Sequence, residues 1–382
     1  MLLSVYVHFP WCLQKCPYCD FASAAIRRDE VPHAAYADAV LRELAWRAST
    51  IDDATLASVY FGGGTPSLWD PSELGRVLGA IRERFPRQVE SVEVTVECNP
   101  SSLDAERARA LAGAGANRLS IGVQSLDEGR LRYLGRLHDA ERALTAVRAA
   151  RGAVDNVSAD LMFGMPGLGA DAAAEHARRL ADLDVAHLSV YALTIETNTQ
   201  FGQLHAKGRL EVAPDEMFAA SFHAVERALD EVGFSHYEVS SYARAGRQSA
   251  HNRHYWRGGA YLGLGAGAVG CVHTGPGAAR RYRNDPTPAR YFERSGERAV
   301  EVSDEALGVQ ELVRERWMLG LRTVDGIDLA DVRDGLGVDP LERRHAAVGR
   351  ALARGNLVRD GERLRVPRER WLHLDGIIAS VF

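Results

Sequence analysis

The sequence has little of several features that define common protein classes. Its 382 residues include only two lysines, Lys15 and Lys207, and no apolar run approaches the ~18 residues of a membrane-spanning helix. The formal net charge of −5 argues against nucleic acid as the main partner. No secretory leader precedes the first strand-like stretch, so we expect a cytoplasmic protein with reduced thiols. Peripheral contact with a membrane stays open, although no amphipathic anchor stands out.

Cysteines are few, but three of the five fall within eight residues in a CxxxCxxC pattern. Cys12, Cys16 and Cys19 can face one centre, and three thiolates at this range favour an iron–sulfur cluster, which normally takes four. A zinc site would need a second ligand pair nearby, and a disulfide would leave one cysteine unpaired. The missing fourth thiolate leaves one iron open to a small molecule. Cys98 and Cys271 are isolated, and we interpret both as small buried apolar residues.

Short apolar stretches alternate with helix-patterned, charged stretches between residues 1 and 195. The predicted strands are Leu3–His8, Ser58–Phe61, Ser91–Glu97, Arg118–Val123, Val157–Met162 and Leu188–Ala192. The predicted helices between them include Ala35–Ser49, Ser72–Arg84, Asp104–Ala114 and Ala170–Leu183. This alternation predicts an α/β fold with a parallel sheet, and six units rather than eight predict a partial, laterally open (β/α)6 TIM-like barrel. Functional groups are then expected at the carboxyl ends of the strands.

The pattern changes after the barrel, and we predict three regions: residues 1–235, 236–303 and 304–382. The first is the partial barrel, the second is a bridging region, and the third is a small, mainly helical domain of winged-helix type. A helix is predicted over Pro214–Val232. The pattern is helical from about Asp304, and a strand-like stretch follows near Arg359–Val366.

Glycine-rich and polar motifs follow the predicted strands of the barrel. Gly62–Pro66 (GGGTP) follows the second strand, Glu97–Pro100 (ECNP) ends the third, and Gln124 ends the fourth. An iron with an open position can be chelated by the amino and carboxylate groups of S-adenosylmethionine (SAM). Glycines allow the backbone to approach such a ligand, and Thr65 and Glu97 can pair with its ammonium group or its ribose hydroxyls.

These motifs, together with Gly122–Ser125 (GVQS) and Asp160, resemble those of the radical SAM superfamily, over essentially the whole chain. Within it they resemble the branch that contains oxygen-independent coproporphyrinogen III oxidase. The resemblance implies a [4Fe-4S] cluster on the three clustered cysteines and two SAM positions. The first implied position comprises Tyr6, Gly63, Glu97 and Val269, and the second comprises Tyr18, Gly64, Thr65, Gln124, Arg136, Asp160 and Ala192. Taken singly, Arg136 could instead be a solvated helix arginine, and Asp160 a strand-end cap.

A second signature lies downstream, at His251–Trp256 (HNRHYW). Its HNxxYW pattern resembles that of the haem chaperone HemW family, and Phe21 stands where the oxidase pattern has a further cysteine. The implied haem contacts are His251, Asn252, Tyr255 and Trp256. An imidazole can ligate haem iron, and the two aromatic rings offer flat apolar surfaces. The alternative is that His251 caps a turn while the rings belong to the core. Other candidate ligands are His236, His254 and His273.

Three functions are compatible with these features. The leading hypothesis is a haem chaperone that binds haem, a [4Fe-4S] cluster and SAM, and that transfers haem to an acceptor protein such as a respiratory haem protein. The second is a radical SAM enzyme, acting on a porphyrinogen in the manner of coproporphyrinogen III oxidase or as a two-SAM methyltransferase. The third is an electron-transfer or cluster-sensing protein that binds no SAM.

Overall fold

The computed structural model describes residues 1–51 and 53–382. Its strands are β1 (Leu2–Phe9), β2 (Trp11–Cys12), β3 (Ala24–Ala25), β4 (Thr55–Gly63), β5 (Gln88–Cys98), β6 (Arg118–Gln124), β7 (Asn156–Phe163), β8 (His187–Ala192), β9 (Ser235–Glu238), β10 (Ser241–Ala243), β11 (Ala260–Leu264), β12 (Val269–Gly275), β13 (Ala278–Asn284), β14 (Glu301–Leu307), β15 (Ile327–Asp328), β16 (Val358–Asp360) and β17 (Arg363–Arg365). Its helices are α1 (His33–Ala48), α2 (Pro71–Arg84), α3 (Ala105–Gly113), α4 (Glu128–Tyr133), α5 (Ala140–Arg151), α6 (Ala170–Ala181), α7 (Gln200–Ala206), α8 (Asp215–Glu231), α9 (Ala250–Trp256), α10 (Pro288–Arg294), α11 (Val309–Gly320), α12 (Leu329–Leu336), α13 (His345–Ala353) and α14 (Leu374–Ala379).

One large sheet organises the molecule, with the strand order β14-β13-β12-β11-β1-β4-β5-β6-β7-β8-β10-β9. Its centre consists of the parallel strands β1, β4, β5, β6, β7 and β8, which contain the six predicted strands. Side chains on both faces of β1 are buried, as is typical of a parallel sheet that is covered on both sides. Because β1 pairs with β4 and β11, and β8 with β7 and β10, the sheet stays open. The predicted α/β fold with an open parallel barrel is confirmed.

Aspartates begin several of the barrel helices. Asp70, Asp104 and Asp139 precede α2, α3 and α5, and each carboxylate accepts a hydrogen bond of 2.7–2.8 Å from a backbone N–H of the first turn. A carboxylate also suits the positive end of the helix dipole. Such local signals explain why the predicted beginnings of α2 and α3 lie within one residue of the observed ones.

Strands that the sequence analysis does not predict extend the sheet on both sides. β11 pairs in parallel with β1, from Leu3 opposite Ala260 to Val7 opposite Leu264. β12, β13 and β14 then follow as antiparallel neighbours. On the other side, β10 and β9 follow β8. The bridging region therefore continues the sheet of the barrel.

The helical pattern predicted from about Asp304 is wrong at its beginning, because β14 occupies Glu301–Leu307. Cross-strand ion pairs hold this acidic segment against β13: Arg280 lies 2.8 Å from Asp304, and Arg281 lies 3.6 Å from Glu305. Such cross-strand pairing outweighs the helical preference that the composition of this segment indicates. The predicted boundary between residues 303 and 304 falls within this strand.

The chain from α11 onward is mainly helical, as predicted. β16 and β17 lie in the predicted strand-like stretch, and β15 joins them in a small antiparallel sheet with the order β15-β17-β16. α8 matches the helix predicted over Pro214–Val232. Within residues 1–51 and 53–382, no helix combines the length and the apolar character needed to cross a bilayer.

A buried ion network joins α1 to the extended part of the sheet. Glu43 is fully buried, and Arg47 is 3% exposed. Arg47 donates to Glu43 at 2.5 Å, and to Glu301 and Asn284 at 2.6 Å each. Glu43 also accepts a hydrogen bond of 2.7 Å from the hydroxyl of Tyr291. Each buried charge thus has an opposite charge and further hydrogen bonds, which offset its loss of hydration.

Replacing Arg47 with alanine should lower the free energy of unfolding by about 3–5 kcal/mol, because Glu43 would stay buried without a counter-charge. Urea unfolding followed by circular dichroism measures this change. The matched control is Arg148→Ala, whose side chain is 55% exposed and pairs, among the described residues, with Glu141 alone, at 3.5 Å. It should cost less than about 1 kcal/mol. Equal effects of the two substitutions would contradict the importance of the network.

Candidate functional site

Two adjoining cavities open where the carboxyl ends of the central strands meet. The smaller, of about 240 Å³, is the cysteine cavity, whose lining includes Cys12, Cys16, Cys19, Gly64 and Asp160. The other, of about 810 Å³, is the large cavity, whose lining includes Tyr6, His251, Tyr261, Val269 and Leu312. Three residues line both cavities: Phe21, Gly63 and Glu97.

The predicted site residues divide between these cavities largely along the two implied SAM positions. Residues of the second position line the cysteine cavity: Tyr18, Gly64, Thr65, Gln124, Arg136 and Asp160. Tyr6 and Val269 of the first position line the large cavity, with His251 and Tyr255. Three predicted residues line neither: Ala192, Asn252 and Trp256. Tyr191, the chain neighbour of Ala192, lines the cysteine cavity. Trp256 lines a separate cavity of about 290 Å³.

The cysteine loop is held against the edge of the sheet. β2 and β3 pair, with Trp11 opposite Ala24, and the N–H of Thr65 donates to the carbonyl of Trp11 at 2.8 Å. All three clustered thiols are free and half-buried. Burial raises the pKa of the Cys12 and Cys19 thiols, so they need a nearby cation or metal to ionise at neutral pH. The isolated Cys98 and Cys271 are buried, as expected.

Arg136 brings positive charge to these thiols. Its Nη1 lies 3.5 Å from the Sγ of Cys16, and its Nη2 donates to the carbonyl of Gly122 at 2.9 Å. Its Nε is buried and lacks a hydrogen-bond partner in the described part of the chain. The residue follows α4 on a loop, so the alternative of a solvated helix arginine is wrong. Three thiols beside an unsatisfied guanidinium donor fit a cluster with an anionic ligand next to it.

A single metal ion would require ligands that converge on one point. Among the residues that the structure describes, no three His, Cys, Asp or Glu side chains do so. A [4Fe-4S] cluster has no such requirement, because its thiolates bind different irons. The relevant observation is therefore that the three thiols share one cavity.

Two further residues of the cysteine cavity carry unusual features. Asp160 lies inside β7 rather than at its end, so it is not a strand-end cap, and burial raises the pKa of its carboxyl to about 6. Gln124, the last residue of β6, has a φ of 68°, in the left-handed region that few non-glycine residues adopt. Shifted pKa values and strained backbone both concentrate at binding and catalytic sites.

The glycines at the end of β4 are required by close packing against β1 and the residues after it. Gly63 has a φ of 108°, and a Cβ there would lie 2.6 Å from the imidazole of His8. A Cβ on Gly64 would lie 2.5 Å from the carbonyl oxygen of Trp11. Only glycine therefore lets this loop approach so closely. The same absence of side chains leaves backbone groups open to the cysteine cavity.

Glu97 lies near the end of β5, between the two cavities. Its carboxylate accepts hydrogen bonds from the hydroxyl of Tyr60 at 2.8 Å and from the N–H of Gly63 at 3.0 Å. Burial raises the pKa of Glu97 to about 7. The carboxyl can therefore gain or lose a proton near neutral pH while it borders both cavities.

The floor of the large cavity is one face of the extended sheet, and helices form its wall. The floor residues are Ser4, Tyr6 and His8 of β1, Tyr261 of β11, Val269, Cys271 and His273 of β12, and Arg281 and Arg283 of β13. The wall residues are His251, His254 and Tyr255 of α9, and Leu312, Glu315, Met318 and Leu319 of α11. The cavity thus exists because β11–β13 extend the sheet beyond β1.

His251 is held by the barrel itself. Its Nδ1 lies 2.9 Å from the Oγ of Ser58, and its ring centroid lies 4.8 Å from that of Tyr60. Glu93 of β5 anchors α9 by accepting bonds of 3.1–3.3 Å from the hydroxyl of Ser249 and from two backbone N–H groups, one of them that of His251. Ser249 caps the helix, so the alternative in which His251 is the cap is wrong. Burial lowers the pKa of His251 to about 3, so the imidazole is neutral.

The other candidate histidines differ in their positions relative to the large cavity. His254 and His273 line the large cavity. His236 does not: its Nδ1 lies 3.2 Å from Glu226, and its ring packs on Tyr242 and Trp371. His236 is therefore buried in the contact between α8, β10 and the C-terminal region, away from the large cavity.

Ser58, Tyr60 and Glu93 are the residues of this site that sequence reasoning misses. They look like ordinary strand residues, and their role arises from contacts with α9, which lies more than 150 positions away in the sequence. Ser58 and Tyr60 share one face of β4, directly before the glycine motif. That alternation of polar side chains is the only local signal that could have pointed to them.

Comparison with known proteins places these features in a family. The model of the radical SAM superfamily matches residues 6–197, and the model of the HemN C-terminal domain matches residues 307–373. The haem chaperone HemW of Escherichia coli (strain K12) is 38% identical over 79% of this chain and 79% of its own length. HemW of Bacillus subtilis (strain 168) is 33% identical over 85% and 84%. The mitochondrial radical S-adenosyl methionine domain-containing protein 1 of Danio rerio is 36% identical over 85% and 73%.

A solved structure shows the same fold. Coproporphyrinogen III oxidase (HemN) from Escherichia coli, a radical SAM enzyme, aligns over 99% of this chain and 89% of its own with a TM-score of 0.81. The two sequences are 20% identical in this alignment, so the likeness concerns the fold alone. The resemblance inferred from the sequence motifs is confirmed.

The raised pKa of Glu97 predicts a pH-dependent stability. The folded protein retains a proton on this carboxyl between pH 4.5 and about 7, whereas the unfolded chain does not, so stability falls as the pH rises through this range. Glu97→Gln removes this loss. Its unfolding free energy relative to the unaltered protein should therefore rise by up to about 3 kcal/mol over that range.

Urea unfolding at a series of pH values, without added ligand, measures this difference. Glu141→Gln is the control, because the Glu141 side chain is 78% exposed. Its stability difference should change little over the same range. A flat profile for Glu97→Gln would contradict the raised pKa.

Proposed function

The chain belongs to the radical SAM superfamily and, within it, to the HemW family, and on this premise we propose that it is a haem chaperone that transfers haem to an acceptor protein. The observation that carries the proposal is the large cavity, which has a neutral histidine in its wall and borders the cysteine cavity. Its volume of about 810 Å³ is within the ~300–1,000 Å³ typical of small-molecule sites.

The proposed axial ligand of haem iron is His251. Because Nδ1 is engaged by Ser58, Nε2 is the nitrogen left for iron, and Ser58 would fix the ring and its tautomer. The low pKa of the imidazole keeps its lone pair free of a proton at physiological pH. Tyr255, Tyr261 and Met318 supply aromatic and apolar surface for the porphyrin.

The proposed ligands of a [4Fe-4S] cluster are Cys12, Cys16 and Cys19. When bound there, the cluster and SAM would supply one-electron chemistry. Arg136 and Asp160 would hold the carboxylate and ammonium ends of SAM in the cysteine cavity. Glu97 would connect the two sites, because it lines both cavities. A thiolate-bound cluster requires reduced cysteines, so we propose that the protein works in the cytoplasm.

An enzymatic function is the second candidate, because the large cavity adjoins the cysteine cavity as a radical enzyme's substrate site would. Its substrate would be a porphyrinogen, or a molecule methylated with two SAM. Phe21 favours the chaperone: it is 56% exposed and lies between the cavities, where the oxidase pattern has a cysteine.

We propose a respiratory haem protein as the acceptor of haem, and no nucleic-acid partner.

Haem titration tests the proposed ligand. The unaltered protein should show a Soret band that saturates with haem, and His251→Ala should weaken binding at least about tenfold. Ser58→Ala should weaken it in the same direction, because the imidazole loses its orienting partner. His205→Ala, at an exposed position on α7, is the control. Equal affinities of His251→Ala and the control would remove His251 as the ligand.

Anaerobic reconstitution tests the cluster. The triple variant with alanine at Cys12, Cys16 and Cys19 should retain neither iron nor sulfide and should lose SAM binding in isothermal titration. The control, Cys271→Ala, should keep its iron, its sulfide and its SAM binding. Iron and sulfide contents that match the unaltered protein would contradict the proposed ligands, and a reconstituted protein that binds no SAM would favour electron transfer or cluster sensing.

The enzymatic alternative has its own assay. The reconstituted protein is incubated anaerobically with dithionite, SAM and coproporphyrinogen, and products are separated by chromatography. A chaperone should form no protoporphyrinogen. Stoichiometric formation of that product would replace the chaperone by the enzyme as the proposed function.

A further inference from the structure

We propose that Arg283, on the floor of the large cavity, is a carboxylate-binding subsite for the occupant of that cavity. The inference rests on the proposed function, because haem and SAM are the ligands whose carboxylates Arg283 would bind. Haem carries two propionates, and SAM carries an α-carboxylate. Both sources offer the same chemistry to a guanidinium, namely a planar anion that accepts two parallel hydrogen bonds.

The strand register directs Arg283 into the cavity. Arg281 and Arg283 lie on one face of β13, and Tyr282 between them lies on the opposite face and is buried. Arg281 lies opposite Cys271, and Arg283 lies opposite Val269, a residue of the first implied SAM position. All four line the large cavity. Arg283 therefore stands where a ligand of either kind would come within reach.

The charges of β13 distinguish Arg283 from its neighbours. Arg280 pairs with Glu301 and Asp304, and Arg281 pairs with Glu315 at 2.5 Å. Arg283 forms neither an ion pair nor a side-chain hydrogen bond with any described residue. Its neighbour on β14 is Ser303, whereas the corresponding neighbour of Arg281 is Glu305. Among the arginines of this strand, Arg283 is thus the one that is exposed and has no protein counter-charge among the described residues.

The acidic residues of the large cavity do not supply the missing partner. Glu315 is bound to Arg281, and Glu97 accepts its hydrogen bonds from Tyr60 and Gly63. Asp20 borders the cavity without an ion pair to Arg283 among the described residues. An anionic group of the ligand is the chemistry that would complete this part of the cavity.

The experiment compares ligands that differ only in their carboxylates. Haem and haem dimethyl ester, whose propionates are blocked, are titrated into the full-length protein and into Arg283→Gln. SAM is titrated calorimetrically into the same proteins after anaerobic cluster reconstitution. Arg283→Lys keeps the positive charge but lacks the two parallel N–H donors of the guanidinium group. Arg109→Gln, at an exposed arginine on α3, is the matched control.

If a propionate is the partner, Arg283→Gln should weaken haem binding about 10- to 100-fold and leave the dimethyl ester unaffected. Arg283→Lys should restore part of the loss. A loss confined to SAM would identify the α-carboxylate as the partner and would equally support the subsite. Unchanged affinities for haem and SAM would overturn the proposal, and so would an equal loss for haem and its ester. A protein that binds neither haem nor SAM would instead refute the proposed function.

Discussion

Close packing of the glycine loop against β1 is the constraint on which the site depends. The N–H of Gly64 donates to the carbonyl of Phe9 at 2.7 Å, and the N–H of Thr65 donates to that of Trp11 at 2.8 Å. These bonds join the end of β4 to the residues that lead into the cysteine loop. Because a Cβ would clash at Gly63 and Gly64, the contact depends on glycine at both positions. The cysteine loop is thereby fixed over the carboxyl ends of the strands.

β4 also connects the two cavities. The ring of Tyr60 packs on His251 in the wall of the large cavity, and its hydroxyl donates to Glu97, which borders both cavities. Ser58, two residues earlier on the same face, holds the imidazole. Tyr60 and Glu97 thus form a continuous contact from the edge of the cysteine cavity to the wall of the large cavity.

The open sheet creates the room for the large cavity. In a closed barrel the first and last parallel strands would pair, whereas here β1 pairs with β11 and β8 with β10. β11, β12 and β13 extend the floor beyond the barrel, and α9 and α11 cover it. The Glu43–Arg47 network supports this extension from below, because Arg47 binds Asn284 of β13 and Glu301 of β14.

Local patterns determined much of this protein: the spacing of Cys12–Cys19, the six parallel strands with their capped helices, and the glycine motif at the strand ends. Each depends on neighbours within a few residues, so the sequence displays it. Tertiary structure decided what depends on distant partners. It made Glu301–Leu307 a strand through cross-strand arginines, and it put His251, but not His236, beside the large cavity. It alone brought Glu93 and Ser58 to α9, because a contact between segments far apart in the chain leaves no periodic trace in either.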